Sequence, residues 1–194
     1  MSKIIGITGG IGSGKSIVSK VLQLMGYPVY ASDQRAKDLM HENKTLVNGL
    51  KALFGEEAYI HSTLNRSYLA AQIFKDDSKR IAMNQLVHPA VREDFRNWVN
   101  QQQSPLVFQE SALLFETGNA AAFDAVLLVT APEEVRMQRV KKRDLLSDDQ
   151  VKARFDAQMP EEEKIKRTNY VIQNSGHQLL VPQILDFLKK META

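Results

Sequence analysis

The segment Gly9–Ser16 has the residue types and the spacing that bind the phosphates of a nucleotide. It reads GGIGSGKS and satisfies G-x-x-x-x-G-K-[ST]. The glycines allow a nest of N–H groups around phosphate oxygens, while Lys15 offers a charge to the β and γ phosphates and Ser16 a hydroxyl to Mg²⁺. A glycine-rich turn with an incidental lysine is the alternative, and the segment's position between a predicted strand and a predicted helix disfavours it. The motif therefore predicts ATP contacts from Gly9, Gly10, Ile11, Gly12, Ser13, Gly14, Lys15, Ser16 and Ile17.

A bound Mg²⁺ ion also needs a carboxylate at the end of a neighbouring strand. The apolar run Leu106–Gln109 closes on Glu110, which fits that position. Glu110 would then hold the metal shell directly or through water. The alternative is that Glu110 only closes the strand. Ser16 and Glu110 are the predicted metal residues.

A basic segment at residues 136–143 predicts a clamp on the transferred phosphoryl group. Five of its eight residues are Lys or Arg. Arg136, Arg139 and Arg143 stand at i, i+3 and i+7, so they can share one face of a helix. A solvated basic helix face is the alternative. We expect residues 136–160 to form a basic, mobile lid, with Arg139 and Arg143 acting with Lys15 in catalysis.

Asp33 follows the second predicted strand, at the sheet edge where open α/β folds bind their ligands. A carboxylate there can orient a substrate hydroxyl or accept its proton. The alternative role is an N-cap for the following helix.

The alternation of short apolar runs with helical patterns predicts an α/β fold with a central parallel sheet. A long, mostly helical stretch at residues 34–100 separates the second strand from the third, and it is far longer than a crossover needs. We expect one domain over residues 1–194, in which this stretch is a helical insertion that holds the second substrate. The predicted strands are Lys3–Thr8, Tyr27–Ala31, Leu106–Gln109, Ala125–Thr130 and Tyr170–Gln173.

Composition excludes several classes of protein. The chain has no cysteine, which rules out disulfides and thiol catalysis, and its net charge of +2 is too small to indicate nucleic-acid binding. No apolar run reaches the length of about 18 residues that spans a membrane, and the N-terminus shows no signal peptide. We expect a cytoplasmic protein without an obligate protein partner.

Neighbouring sequence features distinguish the classes of P-loop protein. The single Asn-Lys pair, Asn43-Lys44, has Leu46 where a guanine-binding motif requires aspartate. A compact chain with an arginine-rich lid favours a small-molecule kinase. A nucleoside monophosphate kinase and a nucleotide-binding switch remain alternatives.

The chain resembles the dephospho-CoA kinase family over almost its whole length. The resemblance is carried by the opening TGGIGSGKS, and by Tyr30-Ala31-Ser32-Asp33, Leu86-Val87-His88-Pro89, Leu113-Leu114-Phe115-Glu116, Arg139, Arg143-Asp144, Gln158 and Asn174-Ser175-Gly176. It implies a P-loop kinase fold and phosphorylation of the ribose 3′-hydroxyl of dephospho-CoA by ATP, the last step of coenzyme A synthesis.

The same resemblance implies roles for single residues. Asp33 would be catalytic, His88 would lie in the region that receives the CoA moiety, and Asn174 and Gly176 would border the adenine. Arg66 could bind substrate phosphate or form a surface salt bridge. Glu116 could orient substrate or cap a helix. For His88 the alternative is a structural hydrogen bond at a helix break before Pro89, and for Asn174 and Gly176 it is a turn at a strand end.

Overall fold

The computed structural model describes residues 2–193, with Asn119 described by its backbone alone. In chain order the elements are β1 (Lys3–Thr8), α1 (Lys15–Leu24), β2 (Val29–Ala31), α2 (Ser32–Glu42), α3 (Lys44–Phe54), β3 (Tyr59–Ile60), β4 (Thr63–Leu64), α4 (Arg66–Lys75), α5 (Asp77–Asn100), β5 (Leu106–Glu110), β6 (Ala125–Thr130), α6 (Glu133–Asp144), α7 (Asp148–Asp156), α8 (Glu161–Lys166), β7 (Tyr170–Gln173) and α9 (Leu180–Thr193).

A parallel sheet forms the centre of the larger part of the chain. Its order is β2-β5-β1-β6-β7, with every neighbouring pair parallel. The strand β1 is central, and the side chains of Ile5 and Ile7 within it are fully buried. The predicted α/β fold with a central parallel sheet is confirmed.

The chain divides into two compact units. The first contains residues 1–31 and 102–194, and the second contains residues 32–101. The second unit covers nearly the same residues as the stretch 34–100, with bounds that differ by two residues or fewer. That this stretch is an insertion that holds the second substrate stays a prediction.

The core of the first unit lies between the sheet and the helices α1 and α9. Phe108 of β5 is fully buried in it, and its ring contacts the rings of Tyr27 and Phe187 at centroid distances of 5.7 and 6.5 Å. Other residues of this core are Ile5, Ile7, Val18, Leu22, Leu127, Val129, Ile172, Ile184 and Leu188. This core anchors the strands whose carboxyl ends carry the candidate site.

In the second unit, α5 packs against α2, α3 and α4. Arg35 of α2 pairs with Asp94 of α5 through one edge of its guanidinium, with Nε donating at 3.1 Å and Nη2 at 2.9 Å. The strands β3 and β4 form a hairpin with a two-residue loop. The loop residues, His61 and Ser62, have positive φ angles of 46° and 67°. Positive φ angles at both loop positions are typical of a type I′ turn, in which Asn-Gly is the preferred pair.

The helix α5 corrects one expectation. It runs without interruption from Asp77 to Asn100 and contains Pro89, so His88 does not stand at a helix break. A proline inside a helix removes one N–H from the ladder and crowds the carbonyl four residues earlier, and packing against three other helices compensates for that cost. Trp98 stacks on Phe95 at 6.1 Å and is half-buried.

None of the helices described within residues 2–193 is long and apolar enough to cross a membrane.

The carboxyl ends of the strands lie at one edge of the parallel sheet. Thr8 of β1 leads into the segment Gly9–Ser16, Glu110 ends β5, Thr130 ends β6 and Gln173 ends β7. Ligands of open α/β sheets bind at this edge, which directs attention to the side chains that follow these four strands.

The buried position of Phe108 generates a stability prediction. Phe108→Ala should lower the free energy of unfolding by about 3–5 kcal/mol, because the smaller side chain leaves a cavity beneath two aromatic rings. Urea denaturation followed by circular dichroism measures the change. Leu185→Ala on α9, where the leucine is 53% exposed, is the control and should cost below about 1 kcal/mol. Equal losses in the two variants would contradict the assigned core.

Candidate active site

The segment Gly9–Ser16 connects β1 to α1, as the motif requires, and we call it the phosphate loop. Gly14, at the N-cap of α1, has φ 94°, and a Cβ atom there would collide with the side-chain amide of Asn174. A Cβ on Gly10 would collide with the guanidinium of Arg136. A larger residue at either position would displace a neighbouring side chain, and at Gly14 the left-handed backbone favours glycine as well.

Lys15 is buried and lies against the loop that contains it. Its ammonium donates hydrogen bonds to the carbonyl oxygens of Gly9, at 2.8 Å, and Gly10, at 3.2 Å. The charge that the motif assigns to the β and γ phosphates therefore lies at the Gly9–Gly10 end of the loop.

Ser16 and Glu110 lie at the same edge of the sheet. Ser16 is exposed in the first turn of α1. Glu110 is half-buried at the end of β5, where it pairs in register with Ile7 of β1. A hydroxyl and a carboxylate are hard oxygen ligands of the kind that Mg²⁺ binds. Within residues 2–193 no group of three or more His, Cys, Asp or Glu side chains is placed to hold a metal ion.

Asn174 joins three parts of the site. Its backbone N–H donates to the carbonyl of Thr130 at 2.7 Å, and its side-chain amide donates to the carbonyl of Ser13 at 2.8 Å. Its own carbonyl accepts a hydrogen bond from Arg139 at 2.9 Å. The residue therefore fixes the end of β7 to the phosphate loop and to α6. Gly176, two positions later, has φ 92°.

The three arginines of α6 have different surroundings. Arg136 is buried: it donates to the carbonyl of Ala131 at 3.0 Å, pairs with Glu161 at 3.1 Å and lies over the ring of Phe155. Arg139 reaches the carbonyl of Gly12 at 3.4 Å. The side chain of Arg143 is 62% exposed and pairs with Asp144, whose hydrogen bond raises the pKa of Arg143. Two of the three therefore contact or closely approach the phosphate loop.

Residues 157–164, which run from the end of α7 into α8, form a segment beside the phosphate loop. The side-chain oxygen of Gln158 accepts a hydrogen bond from the Ile11 N–H at 2.8 Å. Glu116 accepts the N–H of Met159 at 2.9 Å and pairs with the fully buried ammonium of Lys164 at 2.9 Å. Together with Arg136, this segment borders a cavity of about 450 Å³ that also touches Gly10.

Two carboxylates at this segment, Glu116 beside it and Glu161 within it, have pKa values that are shifted in opposite directions. Burial alone would raise the pKa of Glu116, but hydrogen bonds from Lys164 and from the Met159 N–H outweigh it, so the pKa is lowered. Burial raises the pKa of Glu161 more than the charges of Arg136 and Lys164 lower it. Glu116 is therefore a firmly ionised partner for Lys164.

The remaining predicted residues lie in the second unit. Asp33 is exposed in the first turn of α2, and since that helix begins at Ser32, Asp33 is inside the helix and is not its N-cap. Arg66 is exposed at the first position of α4, and within residues 2–193 it has no ion pair that would support the surface salt-bridge alternative. Burial, followed by the charge of Arg92, lowers the pKa of His88.

Sequence reasoning did not identify Glu161 and Lys164 as part of the site. Both lie in a run of charged residues, Glu161–Lys166, whose pattern is that of an exposed helix. The one available signal was the proline at 160, which precedes α8 and marks the start of a short helix. Gln158 was noted only within the family resemblance.

Comparison with known proteins gives a consistent family. A family model described as dephospho-CoA kinase matches residues 3–179. The chain is 40% identical to the dephospho-CoA kinase of Bacteroides fragilis over 185 residues, covering 95% of this chain and 90% of the relative. It is 46% identical to the dephospho-CoA kinase of Thermus thermophilus over 173 residues, covering 89% of this chain and 83% of the relative.

Solved structures show the same fold. A crystal structure of a Thermus thermophilus protein superposes with a TM-score of 0.85 at 42% identity and covers 99% of this chain and 97% of its own. A shikimate kinase from Acinetobacter baumannii matches with a TM-score of 0.58 at 14% identity, covering 100% and 94% of the two chains. The second similarity shows that the fold extends to other small-molecule kinases.

The ion pair between Glu116 and Lys164 predicts a pH-dependent contribution to stability. Glu116→Gln should lower the free energy of unfolding by about 3 kcal/mol near neutral pH, because it leaves the Lys164 charge buried and unpaired. The folded-state pKa of Glu116 lies below its ordinary value of 4.5. The contribution is therefore complete above the pKa of an unfolded glutamate and is lost as the pH falls through the lower, folded-state pKa.

Urea denaturation of wild type and variant across this acidic range measures the effect, and the difference between them should shrink as the pH falls. Glu56→Gln, which removes an exposed partner of Lys51, is the control and should cost below about 1 kcal/mol at every pH. A Glu116→Gln difference that stays constant into the acid would contradict the assigned pairing.

Proposed function

The chain belongs to the dephospho-CoA kinase family, and on that premise we propose that its phosphate loop binds ATP and transfers the γ-phosphoryl group to the ribose 3′-hydroxyl of dephospho-CoA. The products are ADP and coenzyme A. This is the kinase activity of coenzyme A biosynthesis.

One observation carries this assignment: a phosphate loop surrounded by fixed positive charge. The ammonium of Lys15 lies at one end of the loop, and the guanidinium of Arg139 lies near the carbonyl of Gly12. Phosphoryl transfer needs little covalent chemistry from the protein and depends on positioning and on electrostatic stabilisation. Preorganised charges beside the phosphates supply that stabilisation without having to reorganise during the reaction.

Arg139 and Arg143 are the arginines that we assign to the transferred phosphoryl group. Arg139 is already placed against the loop, whereas the exposed Arg143 would have to exchange Asp144 for a phosphate oxygen. The segment 136–160 is the proposed lid. Asn174 and Gly176 follow β7, and a turn there is compatible with the adenine contact that the family resemblance implies.

Ser16 and Glu110 are the residues that we expect to hold Mg²⁺. When bound, the ion neutralises charge on the β and γ phosphates. Magnesium usually keeps several waters and takes only one or two protein oxygens, so a pair of protein ligands is sufficient.

We assign the acceptor to residues of the second unit. Asp33 would orient the ribose hydroxyl and accept its proton, because it lies only two residues beyond the end of β2 at the carboxyl edge of the sheet. Arg66 is an exposed cation suited to a substrate phosphate. His88, with its pKa lowered by burial, would be a neutral hydrogen-bonding group at neutral pH. Glu116, which belongs to the first unit, is assigned a substrate-orienting role that acts through Lys164 and Met159.

A cytoplasmic location and activity without a protein partner are further parts of the proposal. They agree with a cysteine-free chain and with a small-molecule acceptor.

A panel of acceptors tests the function. ADP formation is measured with dephospho-CoA, AMP, CMP and no acceptor. We expect turnover that depends on dephospho-CoA and a product phosphorylated at the 3′-hydroxyl. Preferential turnover of AMP or CMP would instead support a nucleoside monophosphate kinase, and ADP release that is independent of any acceptor would support a nucleotide-binding switch.

Asp33→Asn separates catalysis from a structural role. Losing the proton acceptor should lower kcat by about 10²–10⁴-fold while ATP affinity stays near that of wild type. The helix begins one residue earlier, so the stability cost should be limited to a lost helix-dipole interaction of about 0.3–1 kcal/mol.

The control is Asp38→Asn, which makes the same charge change on the same helix, where Asp38 pairs with Arg35 at 3.7 Å. Turnover and melting temperature are measured on one preparation of each variant. Full turnover in Asp33→Asn would remove Asp33 from the mechanism.

A further inference from the structure

The side-chain amide of Gln158 is fixed in one orientation at the phosphate loop. Its partner is the backbone N–H of Ile11, which is a donor, so the atom at 2.8 Å must be the carbonyl oxygen of the side chain and not its nitrogen. The usual ambiguity between the two amide atoms is thereby removed. The NH₂ group, Nε2, is on the other side of the amide and has no hydrogen-bond partner among residues 2–193.

The backbone that carries Gln158 is also held in place. The next residue, Met159, donates its N–H to Glu116, and that carboxylate pairs with the fully buried Lys164. These contacts fix the main chain of residues 158–159 independently of the phosphate loop. The direction of the Nε2 donor is therefore set by the protein before any ligand arrives.

Gln158 contacts the loop at the end where the γ phosphate of a nucleotide is expected. The amides that follow Gly14 belong to the start of α1 and suit the α and β phosphates. Lys15, which serves the β and γ phosphates, bonds to the carbonyls of Gly9 and Gly10 at the opposite end. Ile11 follows directly, and the cavity of about 450 Å³ beside Gly10 is lined by Gln158, Arg136 and Lys164. A terminal phosphate would therefore lie closest to Gln158.

We propose that Gln158 is a further substrate-binding residue, which donates a hydrogen bond from Nε2 to a γ-phosphoryl oxygen of ATP while its oxygen holds the Ile11 N–H. The inference rests on the proposed binding of ATP by the phosphate loop. Because ADP lacks the γ-phosphoryl group, Gln158 favours ATP over ADP at this site.

The variant Gln158→Glu tests the contact with little change of shape. One oxygen of the new carboxylate can still accept the hydrogen bond from the Ile11 N–H. The other oxygen takes the place of the Nε2 donor and carries negative charge. Affinities for ATP and ADP are measured by calorimetry without any acceptor, so the result does not depend on which molecule is phosphorylated. Losing a hydrogen bond to a charged group corresponds to about a 10–100-fold loss of affinity, and we expect that loss for ATP with a much smaller one for ADP.

Gln150→Glu is the matched control. It adds the same charge to the lid region, at the capping box of α7, where Gln150 bonds to Ser147 and glutamate is an equally good partner. Its ATP and ADP affinities should both remain near those of wild type. Gln158→Ala, which adds no charge, should also lower the affinity for ATP more than the affinity for ADP.

The ratio of the two affinities decides the outcome. Equal losses for ATP and ADP would show that Gln158 only shapes the loop, and unchanged affinities would show that it has no role in binding; either result overturns the inference. Failure of wild type to bind ATP at all, or to phosphorylate dephospho-CoA in the acceptor panel, would instead refute the proposed function.

Discussion

The backbone of the phosphate loop is held by hydrogen bonds with side chains, most of which come from elements outside the loop. Within the loop the Ser13 N–H bonds to the Gly10 carbonyl at 3.1 Å, but N–H groups that are kept for a ligand cannot pair with the loop's other carbonyls, and unpaired buried polar groups are costly. The side chains of Lys15, Asn174 and Arg139 meet the carbonyls, and Gln158 meets one N–H. These partners come from α1, from the end of β7, from α6 and from the segment before α8, so the loop ties together elements that are distant in sequence.

Buried charge is the second constraint on this site. Glu161 and Lys164 stand three residues apart on one short helix, but each pairs with a different segment: Glu161 with Arg136, and Lys164 with Glu116. Removing charges from water is expensive, and a buried pair is compensated only when its geometry is good. What such pairs provide is a fixed arrangement, because any displacement of α8 would leave two ions unpaired. The helix is thereby held in place beside the loop.

The sequence predicted the elements that local pattern determines. Short continuous apolar runs such as Ala125–Thr130 are typical of buried parallel strands, and GGIGSGKS fixes the turn between β1 and α1 through its glycines. The contacts of α6 were not predictable in the same way. Its spacing places Arg136, Arg139 and Arg143 on one face, but only the packed fold determines that the first is buried, the second lies against the loop and the third is exposed. The proline at 89 misled for a related reason, since packing against neighbouring helices overrides a local helix-breaking preference.

The strand order of the sheet also has a consequence for how the protein behaves at high concentration. The outermost strands, β2 and β7, have only 3 and 4 residues, whereas β1 and β6 at the interior have 6 each. An edge strand exposes unpaired N–H and C=O groups to any other chain that can add to it, and short edges are one way in which natural sheets limit such growth. The longest strands are therefore enclosed, and only short edges are left for another chain to add to.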